Sequence, residues 1–187
     1  KWYSENFMDH PIERIIHEGG TIGWDVTELD EAGILPTRNF HSGSFEDADK
    51  ICGETFHDKY FVKADSCQGC PIRCKRVARS TGEYQVDQTY GGPEYETAAA
   101  FGSLCGISDL EAICKAHELC NSYTLDTISA GSSIAFAMEC FENSLAGHMS
   151  AHSVHIFQVF DCQKHDRKRH LPALKAVHLL PQPFLAE

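Results

Sequence analysis

Three cysteines, Cys67, Cys70 and Cys74, stand in the string DSCQGCPIRCKR with the spacing C-x2-C-x3-C. That spacing lets one loop and the start of a helix wrap three thiolates around a cubane iron-sulfur cluster, and soft thiolate sulfur suits iron in such clusters. Gly69 leaves the chain room to turn, and Lys75 with Arg76 can offset the negative charge that a cluster and its thiolates bring. A zinc site is the alternative. A closed zinc site takes four ligands, usually through a second C-x2-C or a His pair, and none follows nearby. A redox dithiol leaves Cys74 unexplained. For a fourth ligand, Cys105, Cys114, Cys120 and Cys140 all lie in apolar helical stretches, where a free cysteine packs as a small hydrophobe. Cys162 is available, but nothing around it argues for ligation.

Two further strings carry acids at suggestive positions. GPEYE places Glu94 and Glu96 two apart, so on a helix they point to different faces. Read from the residues alone, both are solvated acids in a first helical turn, stabilised by its dipole. NSYTLD, from Asn121 to Asp126, reads as a helix stop followed by an Asp cap for the next helix.

The elements that must position these residues are helical. HPIERIIHEGG, from His10 to Gly20, puts Ile12, Ile15 and Ile16 on one face and ends in glycines. Ile22, Val26 and Leu29 continue a helical period from Thr21 to Gly33, and Pro36 closes that segment. Phe45 to Cys52 reads as a short helix ended by Gly53, and a cysteine-rich loop runs from Asp65 to Arg76. A brief extended stretch is expected at Tyr84 and Val86. Pro93 opens a helix reaching Leu104, Ser108 or Asp109 caps a second reaching about Tyr123, and a third runs from Asp126 to about Glu142. Three consecutive amphipathic helices predict an all-α fold: an irregular helical domain with a cysteine-rich, cluster-binding loop.

The 187 residues suffice for one or two domains with a core. A net charge of -11 disfavours nucleic acid, whose binding draws on Lys and Arg that release counterions. No apolar run approaches a membrane span, and the first residues lack the regions of a signal peptide, so the chain reads as cytosolic. Nine cysteines, odd in number and clustered, do not form a secreted disulfide framework. Residues 148 to 187 differ in composition. They hold six of the eleven histidines and five Lys or Arg against three Asp or Glu, which leaves residues 1 to 147 with -13. A domain boundary is therefore expected between 147 and 148. The tail is read as divergent and poorly ordered, with His148, His152 and His155 sharing a helical face and Pro172, Pro181 and Pro183 interrupting it.

With YGGPEYETAAAFGSLCGI from Tyr90 to Ile107, LCNSYTLDTIS from Leu119 to Ser129, EAGILPTRNF upstream and IAFAMECFE downstream, the chain resembles the middle helical domain of the aldehyde:ferredoxin oxidoreductase family. The resemblance spans about residues 10 to 143. It implies tungsten, or molybdenum, held by two dithiolene pterins beside a 4Fe-4S cluster. It also implies oxidation of aldehydes to carboxylic acids and ferredoxin as electron acceptor, and it leaves a homo-oligomer open. By the same resemblance, Cys67, Cys70 and Cys74 are cluster ligands, Glu96 is the acid near the metal that moves a proton, and Asn121, Leu125 and Asp126 contact pterin. Asn121 stands where the family usually has an acid, and Thr124 where it usually has glycine. The family's preceding β domain, its fourth cluster cysteine and a catalytic histidine lie in regions this chain does not carry, so the fragment alone is expected to be inactive. A small iron-sulfur or zinc module without catalysis is the competing reading.

Overall fold

In a computed structural model of the chain, residues 2–143 other than Asp25 are described. The expected boundary at 147 and 148, the tail histidines and Cys162 lie outside them. The chain divides into two compact units, residues 1–135 and 136–187. In order, the elements are α1 (Trp2–Asn6), α2 (Pro11–Gly19), α3 (Val26–Glu31), α4 (Gly53–Lys59), β1 (Phe61–Asp65), β2 (Lys75–Ala78), α5 (Tyr95–Phe101), α6 (Leu110–Ser122) and α7 (Thr127–Glu142). The fold is mostly helical, as expected, with one addition. β1 and β2 pair antiparallel, Asp65 opposite Lys75 and Ala64 opposite Arg76, so the cysteine loop is the tip of a hairpin.

Helix ends follow local chemistry. Pro11 occupies the first turn of α2, and Gly20 at φ 75 lets its N–H close onto the Ile16 carbonyl at 2.9 Å. Asp109 caps α6 by accepting from the N–H groups of Glu111 (3.0 Å) and Ala112 (3.1 Å). At its other end, Thr124 N–H reaches the Asn121 carbonyl at 3.2 Å and Leu125 N–H reaches the Cys120 carbonyl at 2.8 Å. These two bonds make a Schellman motif with Thr124 in its left-handed position at φ 56. Asp126 then accepts from Ser129 N–H at 2.6 Å and starts α7.

Two expectations are corrected. The segment from Phe45 to Cys52 holds only a single 3-10 turn, Ala48–Lys50, and Gly53 opens α4 instead of ending a helix. A Cβ on Gly53 would come within 2.6 Å of the Ile22 carbonyl oxygen and of the Gly23 Cα. Gly53 is thus there for close backbone approach, not for termination. The helix expected from Thr21 begins only at Val26, after a turn in which Trp24 N–H bonds the Thr21 carbonyl at 3.0 Å.

The core of the first unit is built from Ile22, Val26, Leu35, Ile51, Phe56 and Ile113, all at or near complete burial. Each such side chain contributes about 1.5–3 kcal/mol of transfer free energy. Cys105, Cys114 and Cys120 are buried with them, as small hydrophobes should be. The Cys105 thiol is fully enclosed, donates to the Ala100 carbonyl at 3.2 Å, and is pushed up to about 12 by burial.

Candidate functional site

The hairpin tip carries Cys67, Cys70 and Cys74 as free thiols, the first exposed and the other two half-buried. Cys70 N–H bonds the Cys67 carbonyl at 3.1 Å, which turns the loop, and Gly69 and Arg73 both take left-handed backbone (φ 73 and 55). Burial raises the Cys74 pKa, and the neighbouring Glu94, Cys70 and Cys67 raise it further. Among the described residues no group of three His, Cys, Asp or Glu side chains is gathered as it would be around a metal ion.

The loop is held from behind by α2. His17 Nδ1 bonds the Ile72 carbonyl at 2.7 Å. Arg76, only 2% exposed, donates through Nη2 to the His17 carbonyl (2.8 Å) and through Nη1 to the carbonyls of Arg73 and Lys75 (both 2.9 Å). Burial lowers the Arg76 pKa against the pull of Cys74 and Glu94. Gly20 makes this packing feasible, because a Cβ there would stand 2.9 Å from both Arg76 Cγ and the Cys74 carbonyl oxygen.

Behind the hairpin lies a polar cleft of about 390 Å³. It gathers Asn121, Leu125 and Asp126 with Arg76, Glu94, Thr97, His117 and the Tyr90–Gly92 turn. Asn121, Leu125 and Asp126 are exposed at its rim. Hydrogen bonds from Ser129 hold the Asp126 carboxyl below the usual aspartate range. His117, on α6 one turn before Asn121, contacts the Tyr90 carbonyl through Nε2 at 3.1 Å, and Asn121 Nδ2 donates to the His117 carbonyl at 2.8 Å. Burial lowers the His117 pKa, against a backbone hydrogen bond to Tyr90 that raises it, so the fold disfavours the imidazolium.

Glu96 is placed elsewhere. It is exposed and lines a second, mostly apolar cavity of about 660 Å³ with Ile16, Trp24, Leu29, Tyr95 and Ile128. Glu94, Thr97 and Thr127 line both cavities and form the wall between them. Glu94 is the N-cap residue of α5, half-buried, and accepts from the Thr21 hydroxyl, which also receives Tyr95 N–H at 3.2 Å. The sequence brings out the cysteines and both acidic motifs but reads Glu94 as a solvated acid where it is a half-buried N-cap residue, and it does not single out His117. His117 had a signal, since it lies four residues before Asn121 on one helical face.

Among the described residues, two buried side-chain polar atoms lack a partner, Arg76 Nε and His117 Nδ1. Both belong to residues lining the polar cleft. A cleft lined by Arg76 and His117 together with acceptor-bearing Asn121 and Asp126 suits a heterocycle such as pterin, which carries N–H donors and ring-nitrogen acceptors together.

Residues 1–156 match the family described as "Aldehyde ferredoxin oxidoreductase, domains 2 & 3". The chain belongs to the aldehyde ferredoxin oxidoreductase family. The family's tungsten-containing aldehyde ferredoxin oxidoreductase from Thermococcus kodakarensis is 42% identical over 117 residues, covering 63% of this chain and 19% of that protein. The one from Pyrococcus abyssi is 42% identical over 122 residues, covering 64% and 19%. A more distant relative is the "Aliphatic sulfonate oxidoreductase, WOR-like subunit" of Pyrococcus furiosus, 28% identical over 113 residues, 59% of this chain and 18% of that protein. The chain thus spans about a fifth of the length of these aldehyde ferredoxin oxidoreductase relatives. Among its described residues no helix is long and apolar enough to cross a membrane.

Proposed function

We propose that this chain is the cluster-bearing, pterin-contacting part of a tungsten-dependent enzyme that oxidises aldehydes to carboxylic acids. Cys67, Cys70 and Cys74 hold three irons of a 4Fe-4S cluster at the hairpin tip. Asn121 and Asp126 supply acceptors to the pterin, and Leu125 packs against it at the rim of the same cleft. Bound there, tungstopterin would supply the two-electron oxidation, and a cluster on Cys67, Cys70 and Cys74 would offer the electrons a way out to ferredoxin. Converting an aldehyde and water to an acid releases two protons with the two electrons. Glu96, a carboxylate at a mostly apolar cavity, accepts one of those protons, and the apolar part of the lining keeps competing water from the aldehyde's substituent.

The observation that carries this reading is the meeting of Asn121, Leu125 and Asp126 with Arg76 and His117 around one cleft that the cysteine hairpin helps to line. Anaerobic reconstitution of the chain with iron and sulfide tests it. The expected result is bound iron and sulfide, with a cluster signal in electron paramagnetic resonance after reduction. One zinc per chain and no such signal would overturn the iron-sulfur assignment. The chain alone is inactive on this reading, so aldehyde-dependent viologen reduction after adding tungstopterin would count against the need for further domains.

A further inference from the structure

Arg76 is a buried cation that forms no ion pair among the described residues. It is 2% exposed, its three hydrogen bonds go to backbone carbonyls, and its Nε–H has no partner. Glu94, the carboxylate that acts on it electrostatically, accepts instead from the Thr21 hydroxyl. Two of the three carbonyls, those of Arg73 and Lys75, flank Cys74 directly, so the guanidinium is strapped to the segment that carries the third thiolate. The Phe61 ring, 5.8 Å from its central carbon, closes another side. Proteins do not keep an uncompensated charge in such a place without a partner for it.

We propose that Arg76 is the internal counter-cation of the cluster held by Cys67, Cys70 and Cys74, and that it sets the cluster's reduction potential. The proposal rests on the iron-sulfur reading above. Thiolate-ligated clusters are anionic and gain a further negative charge on reduction, so a fixed cation beside one ligand favours the reduced form and raises the potential. Arg76 is a positioning and tuning residue here, acting on the cluster through charge. Lys75, exposed in the same strand, is screened by water and contributes little.

The test uses the full chain, reconstituted with iron and sulfide in excess small-molecule thiol, in the wild type and the variants Arg76→Lys, Arg76→Gln and Lys75→Gln. The potential is read by titration followed with electron paramagnetic resonance, and iron is counted per chain. The expected result is a fall of at least about 59 mV in Arg76→Gln, a tenfold change in a one-electron equilibrium. Arg76→Lys, which keeps the charge, stays near wild type, and Lys75→Gln hardly moves. Equal shifts in Arg76→Lys and Arg76→Gln, or no shift in either, overturn the proposal, because they assign Arg76 to backbone bonding alone. Should Arg76→Gln fail to fold, Arg76→Lys still decides: a folded Arg76→Lys chain with wild-type iron whose potential falls by about 59 mV or more refutes the proposal, and one that keeps the wild-type potential supports it. A wild type that takes up no iron sinks the cluster reading and this proposal with it, whereas a loaded wild type with an unshifted Arg76→Gln sinks this proposal only.

Discussion

The Thr97 hydroxyl lies 2.9 Å from that of Thr127, joining α5 to the first residue of α7 at the wall between the two cavities. Thr97 is buried and Thr127 half-buried, so the bond ties the helix that carries Glu96 to the residue following Asp126. Thr97→Val keeps the shape and removes the bond, and should cost about 1 kcal/mol in urea unfolding. Thr127→Val should cost a similar amount. Because one bond is counted twice, the double variant should cost less than the two single losses added, and strict additivity would show that the hydroxyls do not interact.

The cysteines should separate cleanly by reactivity. Native-state alkylation read by mass spectrometry should modify Cys67 first, with Cys70 and Cys74 following, while Cys105, Cys114 and Cys120 remain untouched. Burial pushes Cys105 from 9.0 to about 12 and Cys120 to about 11, which lowers the thiolate population by roughly a hundredfold or more before access is considered. Reconstitution with iron should protect the first three and leave the others unchanged. Protection of Cys105 or Cys114 by iron would relocate the cluster.

Much of this was legible in the sequence because the relevant signals are local. Three thiols within eight residues announce themselves, and Asp109 and Asp126 mark helix starts that the structure places within a residue of expectation. The hairpin was not legible. β1 alternates only weakly, with Val62, Lys63 and Asp65 all exposed, and the charges of Lys75 and Arg76 read as a loop although Arg76 is buried. Gly53 was misread for a related reason: its role depends on Gly23, thirty residues away, which no local pattern contains. The cleft is similarly nonlocal, since Arg76, Tyr90, His117 and Asp126 meet only in the folded chain.

His117 gives the fold a pH dependence of definite sign. Burial disfavours its imidazolium, so the unfolded chain binds a proton more readily than the folded one below the ordinary histidine value of 6.5. Stability should therefore rise with pH up to about 6.5 through this group, by no more than about 1.4 kcal/mol per pH unit for one proton. His117→Gln should flatten that part of the profile. Unfolding free energies of the two proteins, compared from about pH 5 to 7, check it. A wild-type profile no steeper than that of His117→Gln would mean the ring protonates freely in the fold.

Thr124 is a β-branched residue held at φ 56 in the position of a Schellman motif that glycine usually fills. Left-handed backbone costs a residue with a Cβ about 1–2 kcal/mol, whereas glycine adopts it freely. Thr124→Gly relieves that strain but gives the unfolded chain more freedom, which returns about 0.5–1 kcal/mol. The net expectation is a gain of up to about 1 kcal/mol, seen as a higher urea midpoint with an unchanged slope. The Thr124 side chain contributes one local bond, its hydroxyl to the Tyr123 carbonyl at 2.6 Å, and that bond is exposed and replaceable by water. Thr124→Ala, which keeps a Cβ and loses the hydroxyl, should gain nothing. If glycine and alanine behave alike, the backbone at 124 is not strained, and the Leu125 and Asp126 geometry at the cleft rim does not depend on it.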